Sequence, residues 1–186
     1  MNYLEAIASY TPKNEQEAQD KAFFLRFAAA NPNCLIREND IAHFTASAWV
    51  VTPDRSKVLM VWHNIYKSWS WTGGHADGEA DLAAVALREV REETGVDSAR
   101  LVSPLLLSLE SLTVDGHVKR GEYLHSHLHL NLTYLIEADD ASPLRVKPDE
   151  NSGVRWFSPE AALDACAEPW MVERVYRKLI DAVAKL

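Results

Sequence analysis

Apolar residues recur at helical spacing from Glu15 to Ala30, with Phe23, Phe24 and Phe27 among them, and predict a helix that stops at Asn31-Pro32. The pattern then changes. Phe44 to Val51 and Lys57 to His63 are Val-rich runs on either side of a Pro53-Asp54 turn, and they predict a hairpin-like pair of strands. Trp69 to His75 reads as a Gly-containing loop, followed by a helix from about Asp81 to Thr94 that Gly95 closes. Leu101 to Ser111 is expected as a buried strand, Val114 to Glu122 as a polar loop with Gly116 and Gly121, and His125 to Ala138 as a long strand. After a second polar loop, Asp139 to Gly153, the Trp156-Phe157 pair is short and extended. Ser158-Pro159-Glu160 then opens a helix, with Ser as cap and Pro at the first position. A last amphipathic helix follows Pro169. Strands and helices mixed throughout predict an α/β or α+β fold.

The 186 residues suit one domain, 1–186, and their 47% apolar fraction is enough for a full core. A net charge of −8 argues against gripping long nucleic acid or an anionic membrane through charge alone. Cys34 and Cys166 have neither metal-type nor redox-type spacing, which points to idle thiols in a reducing compartment. No apolar run reaches the ~18 residues of a membrane span, and Glu5, Glu15, Glu17 and Asp20 are unlike a signal peptide. A cytoplasmic location is the expectation.

The chemistry concentrates in the helix before Gly95. At 100° per residue, Ala83, Ala86, Leu87 and Val90 share its core-facing side, while Glu89, Glu92 and Glu93 fall together on an adjoining arc. Like charges at those spacings weaken a helix by a few tenths of a kcal/mol per pair, and the macrodipole disfavours anions at this end. A divalent cation reverses the problem, because hard carboxylate oxygens suit Mg2+, which in turn suits phosphate oxygens.

In this stretch the sequence resembles the Nudix hydrolases. Gly74, Arg88, Glu89, Val90, Glu92, Glu93, Gly95 and Val96 match the family signature in register, and Trp69-Ser-Trp-Thr-Gly-Gly is similar to its lead-in, with Thr72 in place of Pro. One position departs: Ala80 stands where the signature has Glu, with Glu79 one place early. The resemblance implies an α/β/α sandwich around a mixed β-sheet, spanning about 42–165, with residues 1–40 as a helical extension and 169–186 as a C-terminal helix. It also implies hydrolysis of a nucleoside diphosphate linked to another moiety, with Mg2+ or Mn2+ as cofactor and a small diphosphate or nucleotide as partner. Glu89, Glu92 and Glu93 would hold metal, with the Gly74 carbonyl as a further ligand, and Arg88 would orient a motif glutamate. The cations would neutralise the diphosphate and lower the pKa of an attacking water.

Outside the motif, Glu150 has the placement of the additional carboxylate that many family members carry, as base or extra ligand, with a motif glutamate, Glu93 or Glu89, as the competing base. His125, His127 and His129 alternate, so on a strand they share one face, where they would line a cleft or bind a transition metal. His75 would approach the diphosphate or cap the loop. Trp69 and Trp71, in the lead-in, are expected to pack in the core, with substrate contact by stacking as the other use of Trp69. Two alternatives belong to the same fold: an isopentenyl-diphosphate-isomerase-like enzyme, and an inactive nucleotide-binding domain. The first carries a Cys just before the motif helix, and Trp69 to Ala80 has none. Residues 1–40 are expected to add a helical cap or a homodimer contact.

Overall fold

The computed structural model describes residues 1–119 and 121–186, with Lys119 as backbone only. Two helices come first, α1 (Tyr3–Ser9) and α2 (Glu15–Ala30). Asn2 caps α1 in a reciprocal capping box with Glu5, and Asn14 caps α2 by accepting from the Glu17 N–H. Strands β1 (Ala42–Val51), β2 (Val58–His63), β3 (Ser68–Ser70) and β4 (Thr72–His75) lead into α3 (Leu82–Thr94). Then come β5 (Arg100–Leu101), β6 (Ser108–Val114), β7 (His117–Lys119), β8 (Glu122–Leu124), β9 (His127–Glu137) and β10 (Asn151–Phe157). Helix α4 (Pro159–Ala165) and a final helical run close the chain, the latter passing from Pro169–Met171 through a π turn at Val172–Tyr176 into Arg177–Val183.

The sheet is mixed. β1 runs parallel to β9 from Ala42↔Leu128 to Val51↔Glu137, whereas β2, β4, β6 and β10 pair antiparallel with their neighbours. β1 meets β2 only at Val51↔Val58 and then pairs with β4 between Thr45 and Ala48, so its free edge is shared by two strands. Strand alternation sorts side chains to two faces. Phe44, Ala46, Ala48 and Val50 of β1 join Leu130, Leu132 and Tyr134 of β9 in a core that also holds Tyr3, Ile7 and Phe24 of the N-terminal helices and Leu82, Val85 and Val90 of α3. The Phe44 ring sits 4.9 Å from Tyr3 and 5.6 Å from Phe24, and full burial of one such side chain contributes about 1.5–3 kcal/mol. On the other face Trp49, Val51, Met60 and Leu135 pack against α4 and the C-terminal helical run. This is an α/β/α sandwich with α1 to α3 on one side. No helix among the described residues is long and apolar enough to cross a membrane.

Three segments depart from the expectation. The Trp69–His75 loop is two short strands, because the glycines let β4 close on β1: a Cβ on Gly73 would lie 2.6 Å from the Ala46 carbonyl oxygen. The Leu101–Ser111 strand is broken into β5 and β6, with Ser103-Pro104 between them, since Pro brings no N–H to a ladder. Much of the polar loop Val114–Glu122 forms the β7–β8 hairpin; Arg120, within it, lies outside the described residues.

Candidate active site

Helix α3 delivers the carboxylates. Asp81 caps its start by accepting from the Ala84 N–H, and Gly95 ends it with φ 73°, a left-handed conformation that suits glycine. Between these ends Leu82, Val85, Ala86 and Val90 are buried, and that packing fixes the rotation of the helix about its axis.

Glu89, Glu93 and Glu150 each place a carboxylate oxygen within 4.8 Å of the others. Glu93 is buried and accepts a hydrogen bond from the Gly73 N–H at 2.8 Å. Gly74 lies against Glu89 so closely that a Cβ there would sit 2.4 Å from the Glu89 carboxyl carbon. Burial, with Glu89 and Glu150 close by, pushes the Glu93 carboxyl up to about 8 despite the Gly73 N–H. Burial first, then Glu92, raises Glu89 as well. Three converging hard-oxygen donors that repel one another form a donor set suited to Mg2+ or Mn2+.

Glu150 reaches this group through a tight turn. Its N–H and that of Asn151 both donate to the Lys147 carbonyl at 2.8 Å, and the Asn64 N–H donates to the Glu150 carbonyl at 3.0 Å. Glu92 stands apart: exposed, it pairs with Lys147 at 3.3 Å and with Arg88 at 3.9 Å. The reason is angular, since Glu92 is one residue round the helix from Glu93 and turns outward to Lys147 on the β10 loop. Arg88 reaches both Glu89, at 3.8 Å, and Glu92. Lys147 also pairs with Glu150 at 3.1 Å. Partial burial opposes its charge, but Glu150 and Glu92 outweigh this and raise its pKa.

A cavity of about 520 Å³ opens beside the carboxylates and reaches them at Gly73, Gly74 and Glu93. All seven histidines of the chain line it. His127 and His129 do so from β9, with Nε2 atoms 3.3 Å apart, and His75 from β4. Burial lowers the pKa of His43 and His129. Thr45 and Ser47 donate to the Asn131 Oδ1 at 3.0 and 2.8 Å, making a polar floor. Trp69 is outside this wall, packed edge-on against Trp62 and Phe157 at 5.8 and 4.9 Å; Trp71, in the break between β3 and β4, lines the cavity instead. Sequence reasoning missed His43, Lys147 and Asn151. The polar parity of His43, Thr45 and Ser47 was the available signal, and a strand begun at Phe44 hides its first member.

A cavity at the split edge of a mixed sheet, with a glutamate-bearing helix under a Gly-Gly strand, defines an α/β/α sandwich with its carboxylates beside an open cleft. The family model for the NUDIX domain matches residues 42–181, and the chain belongs to the Nudix family. Among solved structures, a C. elegans Ap4A hydrolase in a binary complex has the same fold, at TM-score 0.56 and 17% identity over 77% of this chain and 98% of that one. A NUDIX family hydrolase from Clostridium perfringens is similar at TM-score 0.53 and 22% identity, over 74% and 95% of the two chains. The E. coli dihydroneopterin triphosphate pyrophosphohydrolase is similar at TM-score 0.53 and 13% identity, over 74% and 94%. No curated protein sequence matches the chain.

Proposed function

We propose that this protein is a divalent-metal-dependent hydrolase of a diphosphate linkage in a nucleoside diphosphate joined to another moiety. The observation that carries the reading is the gathering of Glu89, Glu93 and Glu150 within 4.8 Å beside a cavity large enough for a nucleotide. Family membership supports it, because Nudix proteins are generally pyrophosphohydrolases.

Glu89 and Glu93 would hold Mg2+ or Mn2+, with Glu92 and the Gly74 carbonyl as neighbouring donors and Glu150 beside them as the base. The cation, when bound, would supply charge neutralisation at the diphosphate and a more acidic water. The chain's own residues would do the rest. Glu150, on a loop and half-exposed, would take the proton from the attacking water. Lys147 would hold the Glu150 carboxylate in place through its 3.1 Å ion pair. Gly73 would fix the Glu93 rotamer through its N–H, and Arg88 would steady Glu89 and Glu92. Thr45, Ser47 and the cavity histidines would receive the non-reacting part of the substrate.

The test is release of product from a panel of nucleoside diphosphate derivatives, with and without Mg2+, with mass-spectrometric identification of the bond cleaved. Dinucleoside polyphosphates and pterin triphosphates belong in the panel because two proteins of the same fold act on them. Glu150→Gln is expected to lower kcat by about 10²-fold or more while leaving metal affinity within a few-fold. A metal-independent wild type would overturn the reading, and a few-fold change in Glu150→Gln would return the base to α3.

A further inference from the structure

The cavity wall carries a second constellation that the carboxylate chemistry does not use. Three adjacent strands, β4, β1 and β9, each place one histidine on the same face. His43 pairs directly with His129 across the parallel β1–β9 ladder, and His75 is opposite Thr45 on the other side of β1. Their rings form a closed triangle, with centroids 5.1 Å apart for His43–His75, 5.1 Å for His43–His129 and 4.8 Å for His75–His129. One imidazole nitrogen from each lies within 4.8 Å of the other two. Nitrogens that each sit about 2.1 Å from one tetrahedral ion are roughly 3.4 Å apart, so small side-chain rotations bring the set to ligating distance.

His43 shows how the set is oriented. It is 3% exposed, and its Nδ1 lies 2.9 Å from the Asn39 carbonyl oxygen, which can only accept. Nδ1 therefore carries the proton, and Nε2 is left with a lone pair. That Nε2 is buried without a hydrogen-bond partner. A backbone carbonyl holding one ring nitrogen while the other is presented to a ligand is the usual arrangement of a metal-bound histidine. His127 stands next to the triangle, its Nε2 3.3 Å from that of His129, as a fourth imidazole within reach.

We propose that His43, His75 and His129 form a binding site for a borderline d-block dication of the Zn2+ class, separate from the carboxylate group and opening on the same cavity. Imidazole nitrogens select such ions, whereas the all-oxygen set of Glu89, Glu93 and Glu150 suits Mg2+, so one cavity carries two donor sets of different hardness. Three protein donors leave a position toward the cavity that an oxygen of a bound anion fills.

The experiment uses chelator-stripped full-length protein in excess Mg2+, titrated with Co2+ while its visible d–d absorption is followed, and then with Zn2+ in competition. One equivalent of Co2+ is expected to bind with the intense bands of a low-coordinate nitrogen site and to be displaced by Zn2+. His75→Ala, at a half-buried position, is expected to weaken binding by at least the ~10–100-fold that loss of a supporting contact alone costs, with the far-UV circular dichroism of the wild type retained. His129→Gln is expected to do the same, while the Glu89→Gln/Glu93→Gln double variant keeps the bands. Absence of a stoichiometric Co2+ site in the wild type would overturn the proposal. So would unchanged binding in His75→Ala, or bands that disappear with the two glutamates. None of these readouts depends on hydrolysis, so the histidine site stands or falls apart from the proposed activity.

Discussion

The side-chain amide of Asn151 donates to the main-chain carbonyl of Glu93 at 3.0 Å, joining the first residue of β10 to the last turn of α3. Carbonyls in the last turn of a helix have no partner within it. Asn151 supplies one and is itself fully buried, and its Oδ1 accepts from the Lys147 N–H at 3.2 Å. One side chain thereby sets the distance between the helix that carries Glu89 and Glu93 and the turn that carries Glu150.

Asn151→Ala should therefore cost both stability and turnover. Leaving two buried polar groups unpaired predicts a loss of about 1–3 kcal/mol in chemical denaturation. Because the Glu150 turn loses its anchor, kcat should fall by more than the unfolded fraction explains. Full activity in a destabilised variant would show that the bond is structural only.

The two neighbouring glutamates of α3 should behave unequally. Glu93 is buried in the carboxylate group, whereas Glu92 is exposed and paired with Lys147 and Arg88. Glu93→Gln is expected to lower turnover by about 10³-fold and to abolish the rise in Tm that Mg2+ gives the wild type through linkage. Glu92→Gln should keep that rise and lose less activity. Equal losses in both kinetics and Mg2+-dependent melting would place Glu92 inside the group.

A buried triad beneath the Asn131 floor of the cavity makes a pH prediction. Lys178 Nζ is 2.9 Å from Glu17 and 2.8 Å from Glu110, both carboxylates being fully buried. Burial alone would raise the Glu17 pKa, but the Lys13 main-chain N–H and Lys178 outweigh it and hold the group below its ordinary 4.5. With the folded value depressed, this contribution is present above pH 4.5 and is lost as pH falls through the folded pKa. The Tm of the wild type should drop on acidification in that window. Lys178→Met should flatten that dependence and cost about 3–5 kcal/mol at neutral pH, because it strands two buried carboxylates. A neutral-pH loss under 1 kcal/mol would mean that the site hydrates on losing its cation.

Ala80, at the departure from the family signature, packs half-buried against the core, and its carbonyl accepts from the Tyr3 N–H at 3.0 Å. Asp81 and Glu79 already make the local turn, with the Asp81 N–H donating to Glu79 at 2.9 Å. Wild type should be active, and Ala80→Glu should change kcat/KM by less than about tenfold, or roughly 1.4 kcal/mol. An inert wild type rescued by Ala80→Glu would identify a binding domain instead of an enzyme.

What could be read from the sequence was whatever local chemistry dictates. Gly95 ends α3 in the left-handed region, and Ser158 caps α4 by accepting from the Ala161 N–H, as their residue types predict. The N-terminal helix α1 was passed over although Asn2 and Glu5 spell its capping box, because seven residues carry little periodicity. Long-range pairing was harder. Nothing local in His43 announces that a parallel partner will bring His129 beside it, and the outward turn of Glu92 depends on Lys147, 55 positions along the chain. The Lys178 triad was equally hidden, since its members come from α2, β6 and the C-terminal helical run.

The alternation along β1 gives the chain an uneven tolerance to change. Even-numbered residues from Phe44 to Val50 answer to the helices, while His43, Thr45 and Ser47 answer to whatever enters the cavity. On the proposed function, single exchanges at those three positions would alter what the wall recognises without touching the side chains packed against α1 to α3. One inserted or deleted residue in β1 would swap the two sets, turning Phe44 toward the cavity and a histidine into the core. On that reading, specificity would be free to drift by substitution and closed to change by slippage.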